Sequence, residues 1–241
     1  MPDSGPESTP ALPNPMISWL GDCCLRVSFG DEASDAALAR VRDAFESIKR
    51  ERVSSVIDVT PAYATLLVRF DIRSDLETAE ARVRSSILNA VATGKSVVPP
   101  LVELPVCYEP AFAPDLDQVA SHCGLSGTEL TKQHAAANYS VAFIGFTPGF
   151  PYLTGLPPHL RAPRHERPRV RVPAGSIGIA GDQTGIYPRE TPGGWKLIGR
   201  TPLQMFDVSR GAPSLLAPGD RVRFVPIDAA QFAALAEREQ R

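Results

Sequence analysis

The chain has 241 residues, 43% hydrophobic and 22% charged, with a formal net charge of -2 at pH 7 and a sequence pI near 6.1. This length suits one large domain or two small ones, and the composition excludes collagen, a continuous coiled coil and chain-long disorder. So small a net charge leaves no overall positive field for duplex-wide nucleic-acid binding. Four cysteines, two of them the adjacent Cys23 and Cys24, form neither a disulfide framework nor a CxxC redox or zinc pattern, which favours a reducing cytosol. No run approaches the roughly 18 apolar residues of a membrane helix. The N-terminus also lacks a signal peptide's basic start and apolar core, so a soluble cytoplasmic protein is expected.

Residues 1–16, rich in Pro, Ser and acids, bury too little apolar surface to offset ordering entropy and read as a disordered tail. Beyond them, Leu25, Val27 and Phe29 alternate on one face of a strand, and Ser34 caps a helix carrying Leu38, Val41, Phe45 and Ile48. Two further strands follow, Ser55 to Val59 and Tyr63 to Phe70, the latter placing Ala64, Leu66, Val68 and Phe70 together. Asp75 then opens a second helix with Ala79, Val83, Ile87 and Ala90 on one stripe, closed by Gly94. With a fourth strand at Leu101 to Tyr108, the order is that of the split βαβ unit, so residues 17–110 are expected to form an α+β ferredoxin-like domain.

Residues 111–139 read as a helical connector containing two short helices. From Gly145 to Pro226 lie 12 of the 18 glycines and 13 of the 24 prolines, which marks a change of architecture. Short strands are expected at Ser140 to Phe146, Arg169 to Val172, Ser176 to Ala180, Trp195 to Ile198, Met205 to Val208 and Arg221 to Val225. Their spacing suggests a closed or nearly closed barrel over 140–241, ending in a helix from Asp228 to Glu239.

Several apparent motifs dissolve on inspection. Thr93-Gly94-Lys95-Ser96 lacks the first glycine of a phosphate-binding loop and closes a helix instead of opening one. The helix pair near 115–134 resembles a DNA-binding helix-turn-helix, but Asp115, Asp117 and Glu129 oppose only Lys132. His159 and His165 have no nearby Cys partners and no HExxH occurs, so no metal site is expected.

Two stretches carry chemistry. Arg161 to Arg171 is the densest cationic segment, and in Arg169-Val170-Arg171-Val172 the two guanidinium forks share a strand face, suited to a carboxylate or phosphate. The second stretch has Gly175, Gly178, Gly181 and Gly185 around Gln183, where backbone can approach a ligand closely. Tyr187, Glu190 and Trp195 follow, so an amide, a phenol, a carboxylate and an indole gather as an inventory for a small polar ligand.

Three runs, Phe143 to Leu153 (FIGFTPGFPYL), Arg171 to Pro188 (RVPAGSIGIAGDQTGIYP) and Thr191 to Pro202 (TPGGWKLIGRTP), closely resemble the Kip-inhibitor (KipI) or allophanate-hydrolase subunit 1 family. The likeness extends through Gly21-Asp22, Pro61-Ala62-Tyr63 and Pro105-Val106-Cys107-Tyr108. It implies a cyclophilin-like barrel behind the α+β domain. It also implies a B-type subunit of an ATP-dependent 5-oxoprolinase that opens 5-oxo-L-proline to L-glutamate.

Two partners are implied, a C-type subunit similar to KipA or allophanate hydrolase subunit 2, and an A-type subunit similar to LamB/YcsF proteins. ATP with Mg would be bound in the assembled complex, and no metal or biotin site is expected on this chain. Alternatives within the family are a histidine-kinase inhibitor and a carboxyltransferase component related to allophanate hydrolase or urea carboxylase. For the lactam reaction the residue chemistry suggests that Arg169 and Arg171 hold carboxylate or phosphate and that Gln183 and Tyr187 orient the ring. Glu190 would act as base and Trp195 as a wall.

Overall fold

The computed structural model describes residues 14–31, 34–93 and 99–239. Most of the expected tail, the helix stop at Gly94 and the Lys95-Ser96 pair lie outside these residues. The chain divides into two compact units, Met1–Ser96 and Val97–Arg241.

The first unit contains β1 (Met16–Leu20), β2 (Cys24–Ser28), α1 (Asp35–Glu51), β3 (Val56–Ala62), β4 (Thr65–Phe70) and α2 (Leu76–Thr93). Its four strands form an antiparallel sheet in the order β1-β2-β4-β3. The Ser34 side chain accepts from the Ala37 N–H at 3.1 Å and starts α1 where the sequence places it. Leu25, Val27, Leu66, Val68 and Phe70 point from the sheet into one core with Val41, Phe45 and Ile48 of α1 and Val83 and Ile87 of α2.

The run from β2 to α2 has the expected strand, helix, strand, strand, helix order, but the closing strand is a correction. β5 (Leu101–Cys107) leaves this sheet and runs parallel to the C-terminal strand of the second unit, from Leu101 opposite Arg221 to Cys107 opposite Ile227. The edge beside β2 is taken instead by β1, which the sequence does not announce because its side chains are half-buried or exposed without alternation. Period-two hydrophobicity identifies a strand but says nothing about which sheet it joins.

The second unit continues with α3 (Leu116–His122), α4 (Gly127–Ala136), β6 (Tyr139–Ile144), β7 (Pro151–Thr154), β8 (Arg169–Val172), β9 (Ser176–Ala180), β10 (Gln183–Ile186), β11 (Thr191–Gly193), β12 (Lys196–Arg200), β13 (Arg221–Ile227) and α5 (Ala229–Glu239). Seven of its strands close a barrel in the order β10-β7-β6-β13-β5-β12-β9, and β8 and β11 pair separately as a two-stranded arm. The segment expected as a strand at Met205 to Val208 forms only an isolated bridge, Phe206 to Ser214. Met205 is buried there while Val208 is exposed, so one anchor side chain takes the place of an alternating face.

Helices α3 and α4 lie on the barrel, burying Val119, Ala120 and Leu130 with Leu104, Val106, Tyr139, Val222 and Phe224. Ser126 and Glu129 form a reciprocal capping box at the start of α4. No helix among the described residues is long and apolar enough to cross a membrane.

His134, on α4, is fully buried in this core. Its Nδ1 lies 2.9 Å from the Tyr108 hydroxyl, its ring stacks on Phe224 with centroids 4.8 Å apart, and its Nε2 has no partner. Burial pushes its pKa from 6.5 down to about 3, so the native state holds it neutral. The unfolded chain protonates the same ring near pH 6.5, so this group's stabilisation is present above that pH and is lost as pH falls, by about 1.4 kcal/mol per pH unit. Denaturant titrations of the wild type and His134→Gln should therefore show a stability difference that shrinks steadily from pH 7 to pH 5. A difference constant over that range would contradict the account.

Candidate functional site

A cavity of about 350 Å³ opens between the barrel wall and the β8–β11 arm, lined by Phe146, Phe150, Tyr152, Arg164, His165, Pro168, Tyr187, Pro192, Gly193, Gly194 and Trp195. Its floor is aromatic. The Phe150 ring stands perpendicular to Trp195 at 5.4 Å and to Tyr187 at 5.2 Å, and Tyr152 meets Trp195 edge-on at 5.7 Å. These T-shaped contacts set rings at right angles with fixed spacing, and Phe150, Tyr187 and Trp195 are nearly buried.

Glycines make this arrangement possible. A Cβ on Gly185 would lie 2.9 Å from the Phe150 ring, one on Gly178 would lie 2.9 Å from the Trp195 Cβ, and one on Gly193 would collide with the Tyr187 hydroxyl. The glycine-rich stretch therefore seats the aromatic rings, whereas the sequence suggested direct approach of backbone to ligand. Phe146 stands at the mouth with a left-handed backbone, φ 64°, and 63% of its surface exposed. A bulky residue held in that region stores strain.

Behind the cavity lies a charge network centred on Asp115, whose side chain is 5% exposed. Asp115 occupies the N-cap position of α3 but makes no side-chain cap bond. One carboxylate oxygen instead accepts from the Leu197 N–H at 2.7 Å and lies 3.1 Å from His165 Nε2, and the other accepts from Arg169 Nη2 at 2.7 Å. The Asp115 N–H in turn donates to the Leu197 carbonyl at 2.9 Å.

His165 is held on both ring nitrogens. Arg169 Nη1 lies 2.6 Å from its Nε2 and Lys196 Nζ 3.0 Å from its Nδ1, while Lys196 also donates to Gln118 Oε1 at 2.7 Å. Burial alone would raise the Asp115 carboxyl, but bonds from Arg169, Leu197 and His165, with the Arg169 charge, outweigh it and hold the group below its ordinary value. Tyr187 moves the other way. Burial raises its phenol, against opposing effects from the Trp195 backbone, Arg164 and Arg169, so it stands at neutral pH as a hydrogen-bond donor and not as a base.

Residues 15–216 match the family described as "Carboxyltransferase domain, subdomain C and D". The chain belongs to this family. Within it, the chain is 38% identical over 232 residues to the B subunit of 5-oxoprolinase from Bacillus subtilis, an alignment covering 92% of this chain and 96% of that protein. It is 57% identical over 125 residues to the B subunit of 5-oxoprolinase from Escherichia coli O157:H7, covering 52% of this chain and 57% of that one. The crystal structure of TTHA0988 superposes with a TM-score of 0.73 at 37% identity, covering 86% of this chain and 40% of that longer chain.

On this carboxyltransferase-family barrel the residues expected from sequence separate into three places. Tyr187 and Trp195 line the cavity. Arg169 stands one layer back, committed to Asp115 and His165. Arg171 and Glu190 pair with each other at 3.1 Å with side chains 79% and 56% exposed, and neither they nor Gln183, on β10, line the cavity.

Sequence reasoning missed Phe150, Tyr152, Asp115 and Lys196 as parts of one site. The adjacent Pro148 and Pro151 disguise β7, and a carboxylate reaching a backbone amide 82 positions away leaves no local pattern. Removing the Asp115 carboxylate would strand a half-buried guanidinium and a buried amide. Asp115→Ala should therefore destabilise the second unit by about 3–5 kcal/mol, measured by denaturant unfolding. Gly193→Ala should displace Tyr187 and cost about 1–3 kcal/mol, with an altered tyrosine environment in near-ultraviolet dichroism. A change below about 0.5 kcal/mol in either variant, on the ordinary scale of surface substitutions, would contradict the assignment.

Proposed function

We propose that this chain is the B-type subunit of an ATP-dependent 5-oxoprolinase and that the aromatic cavity receives the lactam. The observation that carries this reading is the near end-to-end match to the Bacillus subtilis B subunit, 38% identical over 96% of that protein. The cavity supports it, because its volume of about 350 Å³ and its mostly apolar lining with a few polar groups suit a small cyclic molecule.

A lactam is unreactive, so opening it requires activation. ATP with Mg, bound in the assembled complex, would phosphorylate the amide oxygen and depart as ADP; one water would then add to the activated carbon as the ring C–N bond breaks, leaving an acyl phosphate, and a second water would release phosphate and L-glutamate. This chain contributes recognition. Trp195 and Phe150 flank the ring, and the Tyr187 phenol, kept protonated by burial, donates to the lactam oxygen. Arg169 acts indirectly, holding Asp115 and His165 in place. We assign no chemistry at this cavity to Gln183, Arg171 or Glu190.

Partner subunits of the A and C types, a cytoplasmic place of action, and a cyclophilin-like description of the barrel belong to the same reading. The family description keeps a carboxyltransferase component as a second reading, since an aromatic slot would also accept a flat ureido ring.

The test is glutamate release from 5-oxo-L-proline and ATP by the co-expressed A-type and C-type partners with and without this chain. Activity should require the chain, and Trp195→Ala should lower kcat/KM by at least about 10-fold, the scale of one lost aromatic contact. Full activity without the chain would contradict the proposal.

A further inference from the structure

The lining of the cavity is electrically lopsided. Its ionisable residues are Arg164, His165, Tyr152 and Tyr187, with no carboxylate among them. Arg164 lies over the Trp195 ring, its Cζ 5.9 Å from the centroid, and among the described residues it makes no hydrogen bond or ion pair. The network behind adds to the imbalance. Arg169 and Lys196 contribute two positive charges against the single Asp115 carboxylate, which three donors already occupy. A guest placed on Trp195 therefore meets one uncommitted guanidinium fork, and nothing in the wall repels an anion.

On the reading of this cavity as the lactam site, we infer that Arg164 reads the carboxylate of the guest and makes the site selective for small cyclic acids over the corresponding neutral rings. The indole packs against the ring while the guanidinium, lying over the same indole, offers two parallel N–H donors to the carboxylate. Sequence reasoning gave this task to Arg169 and Arg171, but the first is spent on Asp115 and the second on Glu190. Arg164 is the cation of that basic segment that faces the aromatic floor.

The experiment is calorimetric titration of the assembled complex with 5-oxo-L-proline and with 2-pyrrolidinone, the same ring without its carboxylate, alongside steady-state kinetics. The proteins compared are wild type, Arg164→Ala, Arg164→Lys and Arg167→Ala, the last removing an exposed arginine outside the cavity. Arg164 is itself exposed, so its removal should leave the thermal melt unchanged.

The expected result is that Arg164→Ala weakens binding of the acid, and raises its KM, by about 10- to 100-fold, the scale of one charge-assisted hydrogen-bond pair. It should leave the neutral ring unaffected, with partial recovery in Arg164→Lys and no change in Arg167→Ala. Equal binding of acid and neutral ring by the wild type, equal losses in the Arg164 and Arg167 variants, or no binding of either ring would overturn the inference. Arg164-dependent binding of the acid without glutamate release would sink the oxoprolinase reading and leave this one standing; turnover with Arg164-independent binding would do the reverse.

Discussion

A single buried carboxylate organises the working end of the barrel unit. Taking Asp115 out of water costs several kcal/mol unless its oxygens are fully bonded, and here a backbone amide, an imidazole and a guanidinium supply those bonds. Each donor belongs to a different part of the cavity's surroundings. Leu197 is on β12 beside Trp195, Arg169 begins the β8 arm, and His165 sits in the wall itself. The start of α3, the barrel and the arm are thus pinned to one point, and Lys196 and Gln118 extend the same clamp along α3.

This arrangement connects stability with recognition. The aromatic floor is rigid because Phe150, Tyr187 and Trp195 pack edge to face against one another, and they can do so because glycines stand where any side chain would intrude. The arm beside this floor is held both by apolar burial, with Val172 of β8 packed among Phe150, Tyr187 and Trp195, and by charge, through Arg169 on Asp115. The site therefore combines a flat apolar surface with a local surplus of positive charge, two properties that a bound planar anion satisfies together. Its mouth carries the strained, exposed Phe146, the kind of residue found where backbone energy is spent on function.

Legibility in the sequence followed the range of the physics involved. Half-buried strands such as those bearing Leu25 and Val27, or Leu66, Val68 and Phe70, announce themselves through alternation, and Ser34 marks a helix start because capping is local. The strand β5 was visible as a strand, but its partner β13 lies more than a hundred residues away and left no mark on it. The short strands β7, β10 and β11 were hidden by Pro and Gly, residues that here serve ring packing and turns. Of the site, Tyr187 and Trp195 were legible as chemistry-bearing residues. Asp115 was legible only as one of the acids that argue against DNA binding by the helix pair, and only the folded chain shows that it serves the barrel.

The most direct test of this account is a crystal structure of the assembled enzyme with 5-oxo-L-proline. The account predicts the ring lying against Trp195 and Phe150, its amide oxygen within hydrogen-bond reach of the Tyr187 hydroxyl and its carboxylate on Arg164. Ligand bound on a partner chain, with this cavity unoccupied at saturating concentration, would contradict it.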